Sequence, residues 1–365
     1  MTDSDSDSVS RFTDLYKNKS RKEEQQCERR RTLLEEQKLY RQSELDAGRP
    51  GLLELIEAEQ STDSDCSDAV HRRSRPKIWY SKLYRDKVQL SEWMYERPED
   101  LDNWFMVPCP SGTRCLVVIR KGLAVAYDKE GRSITRFATG LGKRQRVTVL
   151  DCFLVKENRT FYAIDMLVYN EMDLVHCDCQ FRFLWLRSKM EEDDLQKKFC
   201  TLKQACWQLQ LLQAYDFKNP AQIVDCLSRF PAFPDPATKL DGLLFYHKES
   251  NYIYGRTPLV TWLFPFMVPD VLGEEWRQSL NSRYLGNVPE GYGPQGPRAY
   301  MDDFDAKLAK RRAKRNNNRL TGMDEDGEEY CSSSGGTGQE LDGSYEDENW
   351  QQKELDEMRR LEMEG

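Results

Sequence analysis

Long hydrophobic runs are missing from this sequence: nowhere do about eighteen apolar residues follow one another, the length a membrane-spanning helix needs. The opening Met1-Thr2-Asp3-Ser4-Asp5 also lacks an apolar leader stretch, so the expectation is a soluble chain that is not secreted and has no membrane partner. Apolar content is low, with 39% hydrophobic residues against 32% charged ones. A compact globular protein carries roughly 45–50%, so part of the 365-residue chain has no core to join. C-x-x-C pairs are absent as well. Eleven cysteines, an odd number in a chain without a leader, read as reduced thiols rather than disulfides. The densest cluster, His176-Cys177-Asp178-Cys179, lacks a second ligand pair, and Cys200 with Cys206 is a loose match, so neither a metal nor a cofactor is expected. Nor is there an excess of positive charge: 54 Lys and Arg against 62 Asp and Glu leave a net −8. That balance argues against non-specific nucleic-acid binding over the whole surface, and any polyanion site must be local.

What is present is unevenly spread. Seven of the eight tryptophans lie between Trp79 and Trp276, while both ends are polar and charged. The reading is one core of about 200 residues with two solvated arms: an arm over 1–60, a linker over 61–78, the core over 79–288 and a tail over 289–365. Within the arm, Arg21 to Leu45 holds no Pro or Gly and many helix formers, which predicts a helix stopped near Gly48 and Pro50. Its Leu33, Leu34, Leu39, Tyr40 and Leu45 are too sparse for a core-facing stripe, so this helix is solvated alone or folds against a partner. The acidic Ser61–Asp68 stretch marks the linker. In the core, Val117–Ile119, Ala124–Tyr127 and Ser133–Phe137 read as a meander turning at Lys121-Gly122 and Lys129-Glu130-Gly131. Val147–Val155 with Thr160–Val168, and Leu243–His247 with Leu259–Leu263, read as hairpins. Helical signals fall at Ser188–Lys198 and Pro220–Phe230. Mixed order with hairpins makes this an α+β fold built mostly on antiparallel sheets. The tail, with glycines and prolines at 291–297, a basic run Lys307–Arg315 and acidic tracts beyond, reads as disordered; the basic run is either a nuclear-localisation patch or solvated charge.

Three pieces of the core stand in the order found in covalent nucleotidyltransferases, the DNA ligases and messenger-RNA capping guanylyltransferases. They are Cys109-Pro110-Ser111-Gly112-Thr113-Arg114 for K-x-D-G-x-R, Thr160–Val168 with Asp165, and Asp241-Gly242-Leu243-Leu244-Phe245 for E-G-L-[VI]-F. The departures are chemical. Cys109 replaces the attacking lysine, Ser111 the aspartate, and Val260 and Trp262 two phosphate-gripping lysines. Without an amine nucleophile and without those cations, the resemblance implies nucleotide binding and no transfer chemistry; a working guanylyltransferase is the competing reading.

A closer resemblance rests on Leu90-Ser91-Glu92-Trp93, Arg136-Phe137, Phe181-Arg182-Phe183 with Ser188-Lys189, Asp241–Lys248, and Thr257-Pro258-Leu259-Val260 through Gly273. Together these resemble the snurportins, adaptors that bind the 2,2,7-trimethylguanosine cap of spliceosomal small nuclear RNAs. The resemblance implies Trp262 as the stacking platform for the purine, Trp93 beside its N2 methyls, and Ser91 and Cys109 lining the site. It assigns Gly112, Thr113, Arg114 and Lys129 to the triphosphate. Arg144 and Arg146 are further basic residues, for which surface charge is the plainer role. Glu28-Arg29-Arg30-Arg31, Leu33-Leu34-Glu35 and Gln37-Lys38 look like the family's importin-β-binding helix, which implies Arg21, Lys22, Arg29, Arg30, Arg31, Lys38 and Arg41 as receptor contacts. Implied partners are capped small nuclear RNA in its ribonucleoprotein, an importin-β-family karyopherin, and an export receptor, with shuttling between cytoplasm and nucleus. Two departures stand out: Arg11 to Arg49 nets only +3, with Ser43–Gly48 acidic and broken, and the extreme N-terminus lacks the leucine-rich segment the family offers its export receptor.

Overall fold

A computed structural model describes residues 21–44 and 81–321, apart from short breaks at 143–145, 171, 193, 202–205, 287, 290–291 and 294–295. The remaining arm and linker residues, Arg144, and the tail beyond 321 lie outside the described residues.

Two sheets make the core. A five-stranded sheet has the order β1-β12-β11-β2-β10, from β1 (Gln89–Trp93), β12 (Gly255–Leu263), β11 (Leu240–His247), β2 (Trp104–Pro110) and β10 (Tyr215–Asp216). The other sheet runs β5-β4-β3-β6-β7-β8, with β9 (Gln208–Leu211) added along β7. Its strands are β3 (Thr113–Arg120), β4 (Leu123–Tyr127), β5 (Ser133–Ala138), β6 (Val147–Val155), β7 (Thr160–Asn170) and β8 (Met172–Asp173). All pairings are antiparallel except β1 with β12 and β7 with β9. The expected meander and both hairpins are present, and the α+β class with mostly antiparallel sheets holds. The β3–β4 turn forms on Lys121-Gly122, both at positive φ, where glycine bears no steric penalty.

Seven α-helices lie among the described residues: α1 (Arg21–Glu44), α2 (Cys179–Glu192), α3 (Leu195–Phe199), α4 (Pro220–Ser228), α5 (Val268–Leu272), α6 (Ser282–Leu285) and α7 (Gly296–Thr321). Three differ from expectation. The helix placed at Ser188–Lys198 starts earlier, at Cys179, and is divided from α3 beside Asp194, a left-handed residue at φ 52° that an α-helix cannot carry through. Between β7 and α2, Asp165 and Arg182 form a fully buried ion pair, with Arg182 Nη2 2.9 Å from Asp165 Oδ2. Arg182 also donates to the carbonyls of Cys177 and Ser250, so the pair satisfies its remaining polar atoms, as burial demands.

The second difference is the tail. Residues 296–321 form α7, which buries Met301, Phe304 and Leu308 at spacings of three and four, a core-facing stripe. The third is α1, which is not solvated alone: it lies on the five-stranded sheet's side of the core. Its contact face is polar. Gln26, Arg30 and Gln37 are buried, while Leu39 is 68% exposed. Among the described residues no helix is long and apolar enough to cross a membrane, and no group of three or more His, Cys, Asp or Glu is arranged to hold a metal ion.

Candidate functional site

Trp93 and Trp262 are brought together by backbone register. Ser91 on β1 pairs with Thr257 on β12, then the register slips so that Glu92 meets Thr261 and Trp93 meets Trp262. That irregularity turns the end of β1 and leaves the two indoles edge to face, centroids 5.2 Å apart at 66°. Such a geometry suits two aromatic quadrupoles. On its other side β12 pairs with β11, and the Trp262 indole lies against Gly242, where an added Cβ would sit 2.1 Å from Cζ2. Only glycine leaves that space. Gly242 is in turn the register partner of Cys109 on β2. Ser91, Trp93, Trp262 and Cys109 therefore span four adjoining strands of one sheet.

Their exposures differ. Trp262 is half-buried, at the seam between the cluster holding Trp93 and Phe264 and the cluster holding Cys109, Phe153 and Val260. Trp93 is 8% exposed. Its Nε1–H donates to Asp305 Oδ1 at 3.0 Å, and Phe304 stands perpendicular to its ring at 5.4 Å. Cys109 is buried, its thiol directed at the Val107 carbonyl 3.5 Å away. Burial pushes that thiol far above its ordinary range, which disfavours a thiolate nucleophile.

The residues assigned to the phosphates are arranged differently. Gly112 forms the β2–β3 turn against β6, where a Cβ would meet the Leu154 carbonyl oxygen at 2.7 Å. Thr113 is buried. Arg114 is committed within the protein: Nε and Nη2 donate to the two carboxylate oxygens of Asp151 at 2.6 and 2.8 Å, and Nη2 also reaches the Tyr246 hydroxyl at 3.1 Å. Burial opposes the guanidinium charge, but Asp151 outweighs it and holds the group well above its usual range. Tyr252 Oη donates to the same Asp151 at 2.6 Å. Lys129 lies apart, in the β4–β5 turn, where Asp128 accepts from the backbone of Glu130 and Arg132. It lines an open cleft of about 480 Å³ with Arg85, Asp86, Glu130 and Arg132, none of which belongs to the tryptophan group. The sequence reading missed Gly242 as the floor under Trp262, and Asp305, Asp151 and Tyr246 as partners. Gly242 was the findable one, because a glycine inside a β-rich run marks a close approach.

Of the arm residues assigned to a receptor, Arg29, Arg30, Lys38 and Arg41 meet the core. Arg29 makes a two-pronged contact with Glu92 at 2.7 and 2.8 Å. Gln26 donates to the Trp93 carbonyl at 2.9 Å. Arg30 Nε donates to the Pro258 carbonyl at 3.0 Å, and its guanidinium sits 5.1 Å over the Trp104 ring. Lys38 pairs with Glu249 at 3.0 Å, and Arg41 donates to the Glu249 carbonyl at the same distance. Burial raises the cost of ionising Glu92, yet the hydrogen bonds from Arg29 and Gln26 prevail and hold its carboxyl below the ordinary 4.5. Arg31 is exposed, beside Glu28. Arg21 and Lys22 are helical, and their side chains lie outside the described residues.

Among solved structures, similar ones include a mycobacterial DNA ligase D complexed with ATP and MES, at 16% identity and TM-score 0.33, over 48% of this chain and 60% of that one. The ligase domain of M. tuberculosis LigD matches at 14% and 0.31, over 48% of this chain and 57% of that one. Chlorella virus DNA ligase-adenylate matches at 12% and 0.28, over 48% and 67%. The chain thus spans less than two thirds of the length of the first two. Residues 87–265, which carry every strand of both sheets and the Trp93–Trp262 pair, match the Snurportin1 m3G cap-binding domain. Over that segment the chain is snurportin-like, and it carries an m3G cap-binding domain.

Proposed function

We propose that this chain is an import adaptor: it binds the 2,2,7-trimethylguanosine cap of small nuclear RNA at the Trp93–Trp262 pair and offers α1 to an importin-β-family receptor. The observation that carries the cap half is the placement of a half-buried indole, Trp262, against Gly242, where no side chain fits, with a second indole 5.2 Å away at 66°. A purine methylated at N7 is a cation, so an indole face is its favoured platform: stacking contributes roughly 1–3 kcal/mol and the cation–π attraction about 0.5–2 kcal/mol. Trp93, Ser91 and Cys109 line the purine end in this reading, and Gly112, Thr113, Arg114 and Lys129 serve the triphosphate.

Selectivity against a singly methylated cap follows from polarity. An N2 amine set against the Trp93 indole, which offers it no acceptor, forfeits about 1–3 kcal/mol of water bonding, and two absent methyls forfeit about 1–2 kcal/mol of burial. The competing reading, covalent guanylyl transfer, needs an amine where Cys109 offers a buried, protonated thiol.

The receptor half rests on the charge of α1. Seated on the core, that helix has Arg29, Arg30, Lys38 and Arg41 engaged already. A receptor with acidic walls takes the helix by exchanging Glu92 and Glu249 for its own carboxylates, so core and receptor compete for one face. Cargo at one end and receptor at the other make the chain shuttle between cytoplasm and nucleus, with an export receptor for the return.

The deciding experiment titrates the purified chain with mono- and trimethylated cap dinucleotides, following tryptophan fluorescence, beside an incubation with labelled nucleotide and divalent metal. Quenching that favours the trimethylated cap by tens-fold or more, with no label on the protein, is the expected result. Equal affinities, or a covalent label, contradict it.

A further inference from the structure

Helix α7 lies outside the matched segment 87–265, yet it meets the cap site directly. Met301, Phe304 and Leu308 join the same buried cluster as Trp93, Phe264 and Phe266. Phe304 presents itself perpendicular to Trp93 at 5.4 Å and to Phe264 at 5.8 Å and 73°. One helical position further on, Asp305 accepts the Trp93 indole N–H at 3.0 Å. An indole has a single donor, and flipping Trp93 about its second side-chain torsion would aim that donor into an apolar wall while leaving Asp305 without it. The bond therefore selects one of two orientations of a ring that meets Trp262 at 5.2 Å and 66°.

The neighbourhood is also acidic. Tyr95, two residues beyond Trp93, is pushed up to about 12 by burial and then by Asp305, Asp302 and Glu92. Arg256 is the opposing charge there. A carboxylate accepting from an indole N–H draws electron density toward the ring face, which strengthens its attraction for a cationic ligand.

We propose that Asp305 is a positioning residue of the cap site, holding Trp93 in the orientation that an N7-alkylated purine requires, and that the site is complete only with α7 in place. The proposal rests on the reading that Trp93 and Trp262 hold the purine. It follows that the functional domain extends at least to Leu308, since α7 supplies a wall that residues 87–265 do not contain.

The test uses the full chain, titrated by tryptophan fluorescence with tri- and monomethylated cap dinucleotides. Asp305→Leu removes the acceptor, Asp305→Asn restores one without charge, and Asp303→Asn, on an exposed residue of the same helix paired with Lys307, serves as control. Expected are an affinity loss of at least tenfold for the trimethylated cap with Asp305→Leu, a fall in the tri-to-monomethyl ratio, and an altered emission maximum. Asp305→Asn should recover to within about threefold, and the control should match the parent. If Asp305→Leu lowers the melting temperature, Trp93→Phe carries the test, because it keeps a ring and loses the N–H; an unchanged ratio there overturns the proposal. So does parental behaviour of a folded Asp305→Leu. Trp262→Ala separates the two levels: if it too binds as the parent does, the reading of the tryptophans fails, whereas loss with Trp262→Ala alone refutes only the role of Asp305.

Discussion

At Trp262 the five-stranded sheet presents a half-buried aromatic face with acids behind it, Glu92 and Asp305 flanking the neighbouring Trp93. At Arg114 the seven-stranded sheet presents a cation whose charge is already matched by buried Asp151 and shared with Tyr246. A cap has a cationic purine and an anionic triphosphate, so the two regions face opposite demands. In the proposed reading the purine end is set by strand register and by glycine. The phosphate end has one cation tied to Asp151 and the other, Lys129, in a separate cleft. In the proposed reading recognition is carried by the base, with charge on the phosphates adding a smaller increment.

The sharpest break in that comparison is Arg114→Ala. Removing one partner of a buried pair leaves Asp151 uncompensated, so a stability loss of about 3–5 kcal/mol is expected in denaturant titration. A variant as stable as the parent, with weaker cap binding, would make Arg114 a ligand contact rather than a structural cation. Next in size is Gly242→Ala, whose Cβ would overlap the Trp262 indole. The ring must swing away, and cap affinity should fall at least about tenfold, consistent with losing a stacking contact worth roughly 1–3 kcal/mol, while circular dichroism stays as in the parent.

The arm gives a smaller, pH-dependent effect. Glu92 titrates below its ordinary 4.5 because of Arg29 and Gln26, so its contribution to seating α1 is present above that value and disappears as pH falls below it. Hydrogen-exchange protection of α1 should hold at neutral pH and drop in the acid range, and Glu92→Gln should reduce it already at pH 7. Protection that ignores both changes would assign the docking to Arg30 and Gln37 alone. The smallest effect belongs to Lys129→Ala: a loss of a few-fold in cap affinity at low salt, converging on the parent as screening shortens the reach of charge. A large, salt-independent loss would mean that the cleft and the tryptophan pair form one site.

Much of the sheet architecture was legible because alternation and turn chemistry act locally. The Lys121-Gly122 and Glu157-Asn158 turns fix the register of strands that adjoin in sequence. β1 was not legible, since Leu90-Ser91-Glu92-Trp93 is short and finds its partner, β12, only across the whole domain. The seat of α1 was hidden for another reason. A search for an apolar stripe finds nothing, because Gln26, Arg30 and Gln37 bind carboxylates, carbonyls and an amide of the core through polar atoms. Likewise α7 was concealed by its basic run, which masks three buried residues on the opposite face. At the site, residue types were readable, whereas Asp305 was not, because its meaning depends entirely on which indole it meets.

The parallel pairing of β1 with β12 also sets an order of events during synthesis. The first strand of the domain to leave the ribosome must wait, unpaired at its edge, until the last strand has emerged. Nascent chains halted anywhere before Trp262 can build the meander and the β6–β7 hairpin, yet they lack the Trp93–Trp262 pair. That pair is therefore a late acquisition of the growing polypeptide, made by the same closure that finishes the sheet.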